Sequence, residues 1–428
     1  MLQHALANFG TDRGGNIPII FAFILVVVVG VVGFAVDYGD EVMMMSRLQT
    51  AADAAAIDAV TNAKNYIASQ SSQSASVMDS AKAQAESSAA KYFSANQLGA
   101  ATGGGSPHVT LQFNGSRISA IVSYRMNRSS IFGGLLSPRS VALSVSSLAE
   151  SGLPPYINVY LLVDTSGSMA LGASANDQNF LIANNNCAFA CHDGNPVHGY
   201  PDAYAYALGS GLTLRYTAVN NGILALLNEI DTIDPGHQFV STAVYDFNNT
   251  LNVDSALTNN TSSARSNLPA APATSGTTAG ATHFNEMIGQ VVSDIGHGGD
   301  GSSPANAIKL LIIATDGAED PGRYWVSNIP ARAAVAPFDM SFCGPMQFDG
   351  VLVGIIHTPY LPMTWDWGYN ATLGQPSQIG GPATRADDIA PVLQACAGTR
   401  YVLADNTAAI VSGFTTIFKS MESTRLTQ

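Results

Sequence analysis

The chain has 428 residues, of which 46% are hydrophobic and only 11% charged, and its formal net charge is −13 at pH 7. Because one hydrophobic core rarely organises more than roughly 300 residues, this length predicts more than one folded unit. A protein that binds nucleic acid needs a basic surface, and 18 Lys and Arg residues against 31 Asp and Glu residues exclude nucleic acid as the expected partner.

The first predicted element is an uncharged apolar run at residues 17–36, preceded by a short N-terminal segment, residues 1–16. About 20 apolar residues in a helix cross the hydrocarbon of a bilayer. The run passes directly into Asp37 without the small-residue cleavage site of a secretory signal, so we expect a retained transmembrane helix. Arg13 and Arg47 flank the run on opposite sides, and this balance of charge leaves the orientation undecided.

The next two segments differ in composition. Residues 37–98 are rich in Ala, Gln, Ser and Met, which favours a stalk helix that continues from the membrane. Residues 99–150 begin with a glycine-rich stretch and then alternate in the manner of short strands, with Asn114 and Gly115 at the hairpin turn. This segment is predicted to form a small β element.

Residues 151–428 show apolar strands that alternate with helical patterns, which is typical of an α/β domain with a doubly wound, mainly parallel sheet. An insertion at residues 171–211 and a second polar stretch at residues 248–280 are predicted to be long loops. The predicted strands are residues 157–163, 238–245, 308–315, 351–356 and 400–404, and the predicted helices are residues 214–230, 284–295, 389–397 and 408–421.

Oxygen-bearing side chains follow three of these segments. Asp164, Ser166 and Ser168 stand in a turn after the first strand, Thr282 precedes a helix, and Asp316 ends a strongly apolar strand. Strand ends of this kind meet at the edge of a parallel sheet where ligands bind, and hard oxygen donors suit Mg²⁺. The competing interpretation is a turn whose Asp and Ser side chains bond their own backbone. The neighbouring acids Glu319 and Asp320 are interpreted as solvated loop residues.

The sequence DTSGSM at residues 164–169, together with Thr282 and the segment IIATDG that contains Asp316, resembles the metal-ion-dependent adhesion site of von Willebrand factor type A domains. The resemblance implies a divalent metal, Mg²⁺ in the first place with Ca²⁺ or Mn²⁺ as alternatives. It implies that Ser166 and Ser168 ligate directly and that the aspartates act mostly through water. An open position on the metal would then accept an acidic side chain from a partner protein.

The N-terminal pattern of a glycine, an apolar span, an Asp with Gly and the stretch LQTAADAAAIDAV resembles the TadE/TadG proteins of tight-adherence (Flp-type) pilus assembly, over residues 13–60. Combined with a type A domain, it resembles the TadG-like members. Processed pilins of this kind carry a glutamate soon after the cleavage glycine, and residues 16–21 contain none. We therefore expect no cleavage after Gly15 and a permanently anchored, single-pass protein of the bacterial inner membrane.

Four cysteines form an even set, which permits two disulfides in an oxidising compartment. The spacing of Cys187 and Cys191 predicts a small disulfide loop, with a zinc site or a haem attachment that uses His192 as alternatives. Cys343 and Cys396 flank neighbouring elements and are candidates for a second disulfide. Together with the family resemblance, these cysteines favour a periplasmic or other extracytoplasmic C-terminal domain.

Common catalytic motifs for nucleophilic serine, zinc, phosphate or dinucleotide chemistry do not occur in a usable strand-to-helix context, so we predict no enzyme and no catalytic residues. The expected function is membrane-anchored, metal-dependent docking of a protein partner in pilus assembly. Two alternatives stay open: a regulatory module of an ATPase or chelatase-like complex, which requires a cytoplasmic domain, and a surface adhesin.

Overall fold

A computed structural model describes residues 16–70, 74–97, 105–114, 117–130, 132, 140–188, 190, 195–272, 281–322, 329–380 and 383–423. The chain divides into two compact units, an N-terminal one of residues 1–67 and 73–153 and a C-terminal one of residues 68–72 and 154–428. The prediction about cleavage after Gly15 lies outside the described residues.

The N-terminal unit begins with a long helix, α1 (Asn16–Ala68). It is the one helix in the described ranges that is long and apolar enough to cross a membrane, and only 6% of its most apolar window is buried. The stalk is not one continuous helix, because α1 ends at Ala68 and a second helix, α2 (Ala75–Asn96), starts after Ser74. The Ser74 hydroxyl accepts the N–H of Val77 and so caps the new helix.

The two helices bury alanine side chains, and the Ser88 hydroxyl of α2 donates a hydrogen bond to Asp58 of α1 at 3.0 Å. Ala55, Ala59 and Ala63 of α1 and Ala81 and Ala85 of α2 are fully buried. Because alanine loses no side-chain entropy and allows close approach, an alanine-rich stretch forms a good helix and a good helix contact together.

A three-stranded antiparallel sheet completes the N-terminal unit, with strands β1 (His108–Asn114), β2 (Arg117–Ser129) and β3 (Ser140–Gly152) in that order. The predicted hairpin is present, since Asn114 pairs with Arg117, while the turn residues 115 and 116 lie outside the described part of the chain. Alternate residues of β2 are buried, and Tyr124 packs on Phe93 of α2 with ring centroids 4.8 Å apart.

The C-terminal unit is built on a six-stranded sheet with the order β11-β10-β7-β4-β5-β6, in which only β6 runs antiparallel to its neighbour. The mainly parallel α/β class is therefore confirmed. Its strands are β4 (Ile157–Asp164), β5 (Val240–Phe247), β6 (Leu251–Thr258), β7 (Ile308–Thr315), β10 (Val351–His357) and β11 (Tyr401–Leu403), with a two-stranded pair, β8 (Ala318–Glu319) and β9 (Ala336–Pro337), beside it.

Helices cover both faces of this sheet. On one face, Phe284 and Ile288 join Tyr160 and Leu162 of β4 in a single apolar core. On the other face, Ile417 lies against Gly354 of β10. The helices of the unit are α3 (Ala175–Asn185), α4 (Ala203–Gly209), α5 (Arg215–Ile233), α6 (Thr261–Ser266), α7 (Phe284–Ile295), α8 (Ile329–Ala334), α9 (Cys343–Phe348), α10 (Trp367–Ala371), α11 (Arg385–Ala397) and α12 (Thr407–Ser423).

Both predicted long loops contain regular structure. The stretch 248–280 holds β6 and α6, and the insertion 171–211 holds α3 and α4. Strand β6 has Asn, Asp and Ser among its apolar residues, and as an edge strand it leaves half of its side chains exposed. A search for continuous apolar runs overlooks such a strand.

The second predicted disulfide is present, since Cys343 of α9 and Cys396 of α11 are bonded with their Cα atoms 5.6 Å apart. Cys187 is also disulfide-bonded. The predictions for Cys191 and His192 lie outside the described residues.

Candidate functional site

The predicted oxygen-bearing residues lie where the direction of winding changes in the six-stranded sheet. From β4 the chain goes to β5 and β6 on one side, and later to β7, β10 and β11 on the other side. The carboxyl ends of β4 and β7 therefore diverge into connections that leave in opposite directions. In open parallel sheets a crevice for ligands forms at such a point.

Asp164 ends β4 and is completely buried. Its Oδ1 accepts the backbone N–H of Ser166 at 2.9 Å, and its Oδ2 accepts the hydroxyl of Thr315 at 2.6 Å. These bonds fix the carboxylate between the first turn and the end of β7. Burial and the nearby Asp316 carboxylate raise the pKa of Asp164, against the effect of its hydrogen bonds.

Ser168 lies in a short 3-10 helix, Gly167–Ala170, shortly after β4, and Ser166 is the residue that precedes this helix. The Oγ atoms of Ser166 and Ser168 are 3.1 Å apart and form a hydrogen bond. Ser166 is buried, whereas Ser168 borders a cavity of about 350 Å³. The two serines thus lie together beside Asp164, whose carboxylate accepts the N–H of Ser166.

Asp316 follows β7 and is also completely buried. Its Oδ1 accepts the N–H of Ala318 at 3.2 Å, but no described residue donates a hydrogen bond to its Oδ2. Burial raises the pKa of Asp316, while Arg215 and a hydrogen bond from Ser168 lower it. Gly317 has φ +79°, and this left-handed conformation lets the chain turn away directly after the carboxylate.

Thr282 reaches the same place from the start of α7. It forms a two-bond bridge with Asp320, in which each N–H donates to the other residue's carbonyl oxygen at 2.9 and 3.0 Å. Thr282 and Asp320 both line the cavity that Ser168 borders. The interpretation of the neighbouring acids as solvated was wrong: burial raises the pKa of Asp320 and raises that of Glu319 to about 7.

All five predicted residues therefore converge at one corner of the sheet, although Asp164 and Asp316 are 152 positions apart in the sequence. Their donor atoms are all oxygens, two carboxylates and three hydroxyls. One carboxylate oxygen is buried without a hydrogen-bond partner, and both carboxyl groups have raised pKa values. Two buried carboxyl groups in a setting of hard oxygen donors fit a divalent cation. Metal binding itself stays a prediction.

Two further features of the site depend on tertiary structure. Arg215, the first residue of α5, is buried with its Nη1 3.7 Å from Asp316 Oδ2, and no local pattern marks it. The segment after β10 brings Tyr360, Trp365 and Tyr369 to the cavity that Ser168 and Thr282 border. The aromatic content of this segment is visible in the sequence, but its position beside the predicted metal ligands is not.

Residues 15–63 match the Tad family, whose description is Putative Flp pilus-assembly TadE/G-like. The match covers the apolar part of α1 and the alanine-rich part that follows it. No curated protein matches the sequence.

Solved structures resemble the chain only distantly. An aerotolerance-related membrane protein from Bacteroides fragilis is 12% identical, with 62% of this chain and 99% of that chain covered and a TM-score of 0.35. The conserved hypothetical protein BatB from Bacteroides thetaiotaomicron is 15% identical, with coverages of 61% and 99% and a TM-score of 0.31. The PilB minor pilin from Streptococcus sanguinis is 10% identical, with coverages of 74% and 78% and a TM-score of 0.37.

Proposed function

We propose that this chain is a membrane-anchored component of tight-adherence pilus assembly, and that its C-terminal unit is a von Willebrand factor type A-like domain that docks a protein partner through a divalent cation. The observation that carries the proposal is the convergence of Asp164, Ser166, Ser168, Thr282 and Asp316 at the carboxyl edge of the sheet, with one buried carboxylate oxygen that accepts no hydrogen bond. The match of residues 15–63 to the TadE/G-like family supports the pilus setting.

The anchor in this proposal is the apolar part of α1, which lies in the inner membrane, with the C-terminal unit on the periplasmic side. Residues 17–36 are exposed apart from Gly33, and a soluble protein would have to cover so large an apolar surface. The pair Cys343–Cys396 supports an oxidising compartment for the C-terminal unit.

Each of the five residues has a role in the proposed docking. Ser166 and Ser168 offer hydroxyl oxygens to the cation, Asp164 and Asp316 balance its charge, and Thr282 approaches from the partner side of the cavity. A bound Mg²⁺ would supply an open position that attracts an acidic oxygen of the partner. Since few carboxylates share the charge of the ion, that attraction stays strong.

The cavity beside these residues is where the partner would contact the domain. Trp365 is 64% exposed and Tyr369 is buried, and both line the cavity together with Ser168 and Thr282, so the rim presents aromatic surface there. Aromatic side chains are the residues that most often dominate binding energy at protein interfaces. The proposed partner therefore places an acidic group at the metal and an apolar side chain against Trp365.

Affinity capture with the full-length protein in detergent tests this proposal. Wild type, Asp164→Asn and the control Asp405→Asn are compared in Mg²⁺ and in EDTA with solubilised envelope from the same bacterium. Asp405 is exposed and also follows a strand at this edge of the sheet, so its substitution removes the same charge outside the site. We expect wild type and Asp405→Asn to retain a pilus-assembly protein in Mg²⁺ only.

For Asp164→Asn we expect partner retention to fall at least about tenfold, because the metal loses a carboxylate that balances its charge. Trp365→Ala should reduce retention of the partner, while the affinity of the protein for Mg²⁺, measured by calorimetry, stays unchanged. Retention of the same partner by Asp164→Asn, or by wild type in EDTA, would show that docking does not use this site.

A further inference from the structure

Arg215 is an arginine whose side chain is almost entirely removed from solvent, with 3% of its surface exposed. It is the first residue of α5, and its backbone N–H donates to the carbonyl of Leu171. Its Nη2 donates to the carbonyl oxygen of Pro359, in the segment that leads to the aromatic rim of the cavity. Its Nη1 lies 3.7 Å from Asp316 Oδ2.

The contact between Arg215 and Asp316 is electrostatic rather than a directed hydrogen bond. At 3.7 Å the two atoms are too far apart for a hydrogen bond, and neither Nη1 nor Oδ2 has a hydrogen-bond partner among the described residues. A buried ion pair that serves stability alone usually saturates its donors and acceptors, because unsatisfied buried charge is costly. Here the arginine supplies charge to the carboxylate without occupying its free oxygen.

We infer that Arg215 is an internal counter-charge that holds the predicted metal site together when no cation is bound and that lowers the affinity of the site for a divalent cation. The inference rests on the proposed function, and it names a regulation of the same five-residue site. A positive charge close to Asp316 repels an incoming Mg²⁺ and shares the carboxylate that the ion needs. The chain thereby sets its metal affinity in a range where the local cation concentration decides whether partner docking occurs.

Other groups at this corner do not replace the arginine in this role. His357 ends β10 and is buried, and its Nδ1 forms a 2.7 Å hydrogen bond with the hydroxyl of Tyr401. Burial and the charge of Arg215 lower the pKa of His357 to about 4, so the imidazole is neutral at neutral pH. Of these two buried nitrogen-bearing side chains, Arg215 alone brings positive charge to the two buried aspartates.

Calorimetric titration of Mg²⁺ and Mn²⁺ into the full-length protein in detergent tests the inference, with Arg215→Gln as the main variant. Glutamine removes the charge but keeps a donor for the carbonyl of Pro359, and Arg215→Lys keeps a charge. Arg265→Gln is the matched control, because Arg265 forms an ion pair with Asp231 at 2.5 Å outside the site. We expect the Kd of Arg215→Gln to fall by about tenfold to a hundredfold, with Arg215→Lys and Arg265→Gln within about threefold of wild type.

A thermal readout separates this role from a purely structural one. In EDTA, Arg215→Gln should melt about 5 to 10 °C below wild type, because Asp316 loses its counter-charge, and Mg²⁺ should recover most of that loss. A structural arginine would lower the melting temperature equally with and without metal.

Metal binding by wild type together with an unchanged or weaker Kd for Arg215→Gln overturns the inference and leaves the proposed function in place. If neither wild type nor Arg215→Gln binds either metal, the proposed metal site fails and the inference fails with it. Metal binding by Arg215→Gln but not by wild type supports both the proposed metal site and the inferred role of Arg215. Should Arg215→Gln fold only in the presence of metal, the inference is supported, since the cation then replaces the missing charge.

Discussion

At the scale of single residues, the candidate site is characterised by two buried carboxyl groups, those of Asp164 and Asp316. Asp164 tolerates burial because the hydroxyl of Thr315 and the N–H of Ser166 donate hydrogen bonds to its two oxygens, whereas Asp316 has a hydrogen bond on Oδ1 and only the charge of Arg215 near Oδ2. A second acidic pair lies at the neighbouring strands: Asp246 of β5 accepts the hydroxyl of Thr165, one residue beyond Asp164, and sits close to Asp254 of β6. The turn that contains Ser166 and Ser168 is thus linked, through the hydrogen bond of Thr165, to the acidic pair Asp246 and Asp254.

This second pair predicts a pH dependence of stability. Burial and the nearby Asp246 raise the pKa of Asp254 from 3.8 to about 7. Because the folded pKa is above the unfolded one, the stabilising contribution of the protonated group is complete below about pH 4 and is lost as the pH rises through 7. We expect the metal-free C-terminal unit to unfold more easily at pH 8 than at pH 5, and Asp254→Asn to reduce that difference by about 1 kcal/mol, a value discounted for partial exposure.

Denaturant titrations followed by tryptophan fluorescence measure this effect, since all three tryptophans belong to the C-terminal unit. Asp300→Asn is the control. Hydrogen bonds from Ser302 lower the pKa of Asp300, so that carboxyl group is ionised in both states throughout this pH range. A pH profile of Asp254→Asn that coincides with the wild-type profile would contradict the prediction.

At the scale of secondary-structure elements, the two helices on one face of the sheet approach each other through a glycine. A β-carbon at Gly222 of α5 would lie only 2.4 Å from Cδ2 of Phe414 in α12, and Phe414 is completely buried. Glycine costs helix stability in the middle of α5, but it gives the phenylalanine ring room to pack on the helix backbone. The position of α5 matters for the site, because Arg215 is its first residue.

Gly222→Ala should therefore destabilise the C-terminal unit by about 1–3 kcal/mol through overpacking, despite the better helix propensity of alanine. Gly289 of α7 provides the matched control, because a β-carbon there meets no atom within 4 Å. Gly289→Ala is expected to stabilise by about 0.5–1 kcal/mol. Free energies of unfolding from denaturant titration compare the two variants, and equal effects of the same sign would refute the packing argument.

At the scale of the whole molecule, the chain combines a helix apolar enough to cross a membrane, α1, with a disulfide between Cys343 and Cys396. The Cys343–Cys396 bond closes a segment of 53 residues between α9 and α11. Disulfides of this kind persist in oxidising compartments and are rare in the cytoplasm. The most direct consequence concerns the side of the membrane on which the C-terminal unit folds.

We expect alkaline phosphatase fused after residue 423 to be active in cells, with the C-terminal unit outside the cytoplasm. Cys343 and Cys396 should react with a maleimide reagent only after reduction, and Cys396→Ser should lower stability by up to about 4 kcal/mol, since a long loop is no longer closed in the unfolded state. An inactive phosphatase fusion together with freely reactive cysteines would place the unit in the cytoplasm, and it would favour a regulatory module of an ATPase complex instead.

Several features of this protein followed from the sequence because their signals are local. The apolar run at residues 17–36 predicts a long exposed helix by composition alone, and the runs that became β4, β7 and β10 are apolar throughout because both of their faces are covered. The position of DTSGSM at the end of such a strand, with Thr282 and Asp316 at later junctions, was enough to predict that the five residues meet.

Tertiary structure decided what depends on contacts between distant segments. Strand β6 exists because β5 offers it an edge, and the break after Ala68 is not marked by glycine or proline. Arg215 precedes Asp316 by 101 positions, and only the packing of α5 on the sheet brings its charge to that carboxylate. The partial burial of Asp320 and the aromatic rim at Trp365 arise in the same way, since burial is a property of the packed chain and not of any short stretch of sequence.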